Sequence, residues 1–112
     1  MNINPSEIHG NWRAGWVLDT HTISSRLLPD GGYDTDRTEL GELVYQVKYN
    51  GDRSKIQPIA ETAAQFVLGE FAVDGYPILP YLKVIIPIPP SDTSRNFQPV
   101  TEIAQEIGKL LF

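Results

Sequence analysis

The chain contains no cysteine, so disulfides and thiolate metal sites are excluded at the outset. It also lacks any apolar run near the ~20 residues that a membrane-spanning helix needs. The N-terminal stretch MNINPSEIHGNW is polar and has no signal-type apolar centre. Positive charge is scarce: nine Lys and Arg stand against fourteen acids, for a net charge of −5. Those basic residues are scattered and never form a run. Nucleic acids and anionic membranes reward clustered cations, which argues against either as the main partner. Together these absences lead to the expectation of a soluble, cytoplasmic protein in a reducing setting. What remains is ordinary for a globular chain, with 112 residues, 41% hydrophobic and 10% aromatic. That length suits one domain burying roughly 65% of its unfolded surface.

Hydrophobic spacing organises the rest. Residues 1–11 are polar and expected to be flexible; residues 12–112 carry the domain. Trp12, Ala14, Trp16 and Leu18 fall on alternate positions, the period of a strand, and 21–25 reads as a second strand or the return of a hairpin. Pro29-Asp30-Gly31-Gly32 is a turn by composition, extended as a loop by Tyr33-Asp34-Thr35. Asp36 with Glu39 three residues on resembles a capping box, and Leu40, Leu43, Val44 and Val47 form one apolar helical stripe. Asn50 or Gly51 supplies the left-handed end. A second helix opens between Ser54 and Pro58, with Gln57 as its cap and Ile59, Ala60, Ala63, Ala64 and Val67 as its stripe, ending near Gly69. Residues 70–81 read as irregular. The run 83–88 is apolar on both faces, as in the central strand of a parallel sheet. A last helix opens near Gln98-Pro99 with Val100, Ile103, Ala104, Ile107 and Leu111 inward. No internal repeat or low-complexity tract interrupts this order.

The stretch KVIIPIPPSDTSRNFQ, residues 83–98, is the most informative for function. It reads as a β-branched strand that stops in prolines, a stiff polar loop with a single Arg, and a helix N-terminus. Free backbone N–H groups and the positive helix end both face such a loop, a pattern suited to phosphate or pyrophosphate. The bland alternative is a strand-to-helix loop of ordinary turn residues.

Three segments in this order carry a family resemblance: KYNGDR at 48–53, IPIPPS at 86–91 and RNFQP at 95–99. They resemble the ComF-like phosphoribosyltransferases, in which a KYxGD segment precedes a helix and a vPVP-type strand leads to an R-G-F-N-Q helix start. Leu18 to Thr22 and Asp34 to Thr38 also look like the front end of stand-alone relatives. The resemblance covers residues 12–112 but only about half of such a domain. It implies a partial phosphoribosyltransferase-like α/β fold: an N-terminal β-hairpin, two helices, one central sheet strand and one helix. It also implies a pyrophosphate site at Pro90, Ser91, Thr93, Ser94 and Arg95, with hydroxyls and a bidentate guanidinium as ligands. Mg²⁺ would arrive with phosphoribosyl pyrophosphate, since magnesium favours substrate oxygens over an all-protein cage. Lys48, Asp52 and Arg53 would form a second wall of the cleft, or else a solvated helix end with Lys48 near the negative terminus.

The departures carry consequences. Asn96 replaces the family's glycine, Gln98-Pro99 stands where the family has Asn-Gln, and the cysteine module of many relatives is missing. No two acids are adjacent anywhere in the sequence, so the family's paired ribose-binding acids have no counterpart. No catalytic residue is therefore assigned, and the chain alone is expected to be inactive as a phosphoribosyltransferase of nucleotide metabolism. It reads as the N-terminal half of a truncated or split enzyme. The alternative is a non-enzymatic binding or assembly module that forms a homo-oligomer or docks on a partner chain through its incomplete sheet. An unrelated small α/β domain with a bland loop is the third possibility. Asp19 with His21 lacks the further ligands of a metal site. Asp30, Asp34 and Asp36 miss the calcium-loop spacing. Ser24, Ser25 and Ser91 have no partnered His in an elbow context.

Overall fold

The computed structural model describes residues 1–90, 94 and 97–112. Its architecture mixes three helices with antiparallel strand pairs, each pair a separate two-stranded sheet. β1 (Ser6–Ile8) pairs with β2 (Gly15–Val17), Ile8 opposite Gly15. Trp12 closes the loop between them, its Nε1 donating to the Ile8 carbonyl at 3.2 Å. The indole folds back over Gly10 and Gly15, where an added Cβ would lie 2.3 and 2.5 Å from it and would displace the ring. The front hairpin therefore begins inside the segment expected to be flexible.

β3 (Thr22–Leu27) pairs with β4 (Tyr33–Arg37) after a bulge between Thr22 and Ser24. The intervening turn forms as composition predicts: Leu28 and Gly32 close it at 2.7 Å, and Asp30 Oδ1 accepts the Gly32 N–H at 3.0 Å. Tyr33-Asp34-Thr35, expected as loop, is strand, because that turn returns the chain directly onto β3. The strand continues through Arg37, so Asp36 cannot cap the next helix. Thr38 does so instead: its Oγ1 accepts the Gly41 N–H at 2.9 Å.

α1 (Glu39–Asn50) buries Leu40 and Val47 and ends at Gly51, whose φ of +65° turns the chain out of the helix. The Asp52 N–H returns to the Gln46 carbonyl at 3.0 Å, satisfying a terminal acceptor. A 3-10 turn, Arg53–Lys55, leads into α2 (Ile56–Gly69). Asp52 caps that turn, so the helix starts ahead of the expected Gln57, and Pro58 still falls in the first turn where its missing N–H costs nothing. β5 (Ala72–Val73) and β6 (Tyr76–Pro77) form a tight hairpin in the region expected to be irregular. Asp74 and Gly75, at φ +52° and +82°, supply the two left-handed residues that such a turn needs. α3 (Pro99–Leu111) opens at Gln98 with Pro99 in its first turn.

The core lies among the helices. Leu40, Val47, Ile56 and Ile59 form its centre, with Ile3, Leu18, Leu43, Val44, Phe97 and Ile103 packed around them. α2 makes its most extensive contact with α3, and its buried Ala60 and Ala64 provide the low profile that close helix packing needs. Residues 83–88 correct the sequence reading. They lie in no helix and pair with no strand among the described residues, and Val84, Ile86 and Ile88 are 62%, 80% and 79% exposed. β-branched composition makes a segment fit a pleated surface; it does not supply the neighbour that makes a sheet. The molecule is correspondingly open. Its radius of gyration is 15.7 Å, against about 13 Å for a compact chain of this length. No helix among the described residues is long and apolar enough to cross a membrane.

Candidate functional site

Two of the three segments that carry the resemblance, 48–53 and 95–99, meet in space. Gly51 follows α1, and the Phe97 ring approaches within 3.9 Å of the position its Cβ would take. The Arg53 guanidinium stands 4.5 Å over the Phe97 ring and 3.5 Å from Glu102 Oε2 in the first turn of α3. Stacking and charge thus tie the end of KYNGDR to the start of the RNFQP helix. The Arg53–Glu102 contact is an ion pair without a hydrogen bond, since Glu102 Oε2 has no hydrogen-bond partner. Arg53 is 59% exposed, so this tether is worth at most about 1 kcal/mol and an incoming anion can compete for it.

Asp52 faces its own backbone. It accepts from the Ser54 N–H at 3.1 Å and from the Ser54 hydroxyl. The Ser54 hydroxyl chiefly, with the Ser54 N–H and the nearby Lys55 charge, holds its carboxyl below the usual 3.8. Asp52 is therefore a capping residue rather than a ligand. Lys48 lies exposed in the last turn of α1, its Nζ 6.0 Å from the Tyr49 ring. Of the predicted pyrophosphate loop, Pro90 and Ser94 are exposed, while Ser91, Thr93 and Arg95 lie outside the described residues. The N-terminus of α3 carries no side-chain cap, and Gln98 stands at its N-cap position.

A polar groove of about 260 Å³ runs between the starts of α2 and α3, lined by Arg53, Gln57, Gln105, Glu102 and Glu106 among others. Its acids outnumber its one cation, so a bare dianion is not favoured there; a metal-neutralised diphosphate suffers less repulsion. Among the described residues no group of three or more His, Asp or Glu is placed to hold a metal. Asp19 Oδ1 accepts its neighbour's N–H, from Thr20 at 2.8 Å, and His21 Nδ1 contacts Thr22 Oγ1 at 3.3 Å. Phe97 and Glu102 are the members of the site that sequence reasoning did not assign. Phe97 sits inside the RNFQP motif, which was the available signal; Glu102 had none beyond its place one turn into the helix.

No protein-family model, curated protein or solved structure matches the chain.

Proposed function

We propose that this chain carries the pyrophosphate-gripping half of a phosphoribosyltransferase-like site and does not transfer a phosphoribosyl group on its own. The meeting of Gly51 and Arg53 with Phe97 and Glu102 supports this most directly, because it places a recruitable guanidinium beside the N-terminus of α3. Arg53 and the first-turn amides of α3 bind the diphosphate, Lys48 adds long-range attraction, and the hydroxyl-rich residues 91–94 with Arg95 complete the grip. Mg²⁺ enters with the ligand and supplies charge neutralisation. The sequence lacks paired acids for the ribose hydroxyls, so binding is retained and transfer is not.

Titration of the labelled protein with magnesium pyrophosphate tests this reading. Amides of Gly51, Arg53, Phe97 and Val100 shift together, and Arg53→Ala weakens the apparent affinity by about tenfold, the loss of one charge-assisted contact. Silence at those amides, or indifference to Arg53→Ala, would refute the site. Phosphoribosyl transfer or pyrophosphorolysis by residues 1–112 would refute the inactivity.

The exposure of Val84, Ile86 and Ile88 favours a second reading, in which the chain acts as an assembly module. Such a module buries its unpaired extended segment against another chain.

A further inference from the structure

Burial alternates strictly along residues 84–88. Ile85 and Pro87 are half-buried and face Thr101, Ala104 and Gly108 of α3 across a groove of about 430 Å³. Val84, Ile86 and Ile88 are the more exposed positions, a period of two that fits extended chain, although Val84 also borders the groove. In extended chain the N–H and C=O of one residue point to one edge and those of the next residue to the opposite edge. Pro87 and Pro89 therefore remove donors from one edge only, because proline has no N–H. The other edge keeps the N–H groups of Val84, Ile86 and Ile88. The segment is competent to accept one β-neighbour, and its sequence specifies the side.

We propose that a second copy of this chain adds to that edge, antiparallel, about a two-fold axis through Ile86. The inference rests on the assembly reading above and is independent of the diphosphate site. A two-fold interface must be self-complementary, and this one is. Ile86 faces Ile86 of the other copy, Val84 faces Ile88, and Lys83 faces Pro89, so no charge meets its like. Every donating position is a non-proline residue. Ile85 and Pro87 of both copies stay on the same face, where each copy's α3 already covers them. No acid occurs between Asp74 and Asp92, so two chains of net charge −5 meet along an acid-free window. The exposed surface of 7972 Å² compares with about 6,200 Å² for a compact monomer of this mass. That excess is larger than the roughly 800 Å² each partner contributes to a stable pair.

Sedimentation velocity over the micromolar range, with amide exchange at both ends of it, tests the proposal. The expected result is a concentration-dependent dimer in which the N–H groups of Val84, Ile86 and Ile88 become protected while that of Ile85 does not. Ile86→Pro removes the central donor and weakens dimerisation by about tenfold or more, whereas Ile86→Thr keeps the donor and the branched Cβ and changes it by less than about threefold. Residue 86 is 80% exposed, so both variants retain the helices, which circular dichroism verifies. A monomer at every concentration overturns this inference, and the assembly reading then requires a different partner chain. A dimer without the alternating protection overturns the inference alone, because the contact then lies elsewhere.

Discussion

Two helical glycines make opposite predictions from one physical rule. Replacing glycine by alanine inside a helix removes unfolded-state entropy and gains about 1 kcal/mol where the new methyl fits. At Gly108 in α3 nothing lies within 4 Å of the added Cβ, so Gly108→Ala stabilises the protein by about 1 kcal/mol. At Gly41 in α1 the same atom would lie 2.1 Å from the His21 carbonyl oxygen and 2.8 Å from its carbon. Neither is a flexible side-chain end, so the backbone before β3 must retreat. Overpacking of this kind costs about 1–3 kcal/mol. The retreat also strains the Thr38 N–H bond to the His21 carbonyl, 3.3 Å long, and the Thr38 hydroxyl bond to the Thr20 carbonyl, each worth about 1 kcal/mol. Set against the propensity gain, Gly41→Ala destabilises by about 2 kcal/mol. Urea unfolding followed by far-ultraviolet circular dichroism reads both variants, with Gly108→Ala as the internal control for sign. A Gly41→Ala variant as stable as the parent would refute the close seating of β3 and β4 on α1.

Thr38→Ala removes both the α1 cap and the hydroxyl tether to Thr20 and lowers stability by about 1–2 kcal/mol in thermal melts. Thr38→Ser, which keeps the oxygen, recovers most of that loss. The Asp52 carboxyl titrates below 3.8 in the folded chain and at its ordinary value once unfolded. Its contribution is therefore complete above 3.8 and lost as pH falls through the depressed folded value. Asp52→Asn should flatten the acid limb of stability against pH in that window, and an unchanged limb would remove the Ser54 contacts as the cause.

The three helices were legible because their apolar positions repeat at helical spacing and need only a partner face. Leu40, Leu43, Val44 and Val47 lie on α1's inward side as the pattern requires. Their boundaries were less so, since Thr38 rather than Asp36 caps α1 once β4 has claimed Asp36. Residues 70–81 read as irregular because strands as short as β5 and β6 leave no alternation to read. At 83–88 the β-branched composition predicted a central sheet strand, and no strand forms there among the described residues, because composition does not supply the neighbour that makes one. For the site, the segments 48–53 and 95–99 stood out singly. Their contact through Arg53 and Phe97 depends on how α2 folds back to set α3 against the end of α1, which no local pattern encodes.

α3 is the element on which both proposals converge. Its first turn holds Glu102 against Arg53, and its Ala104 and Gly108 face the extended segment. A diphosphate that draws Arg53 away from Glu102 changes the contacts of the same helix that backs Ile85 and Pro87. A second chain added at Val84, Ile86 and Ile88 orders the segment lying over that helix's other end. Any difference in diphosphate affinity between monomer and dimer must then appear, by linkage, as an equal difference in dimerisation with and without the ligand.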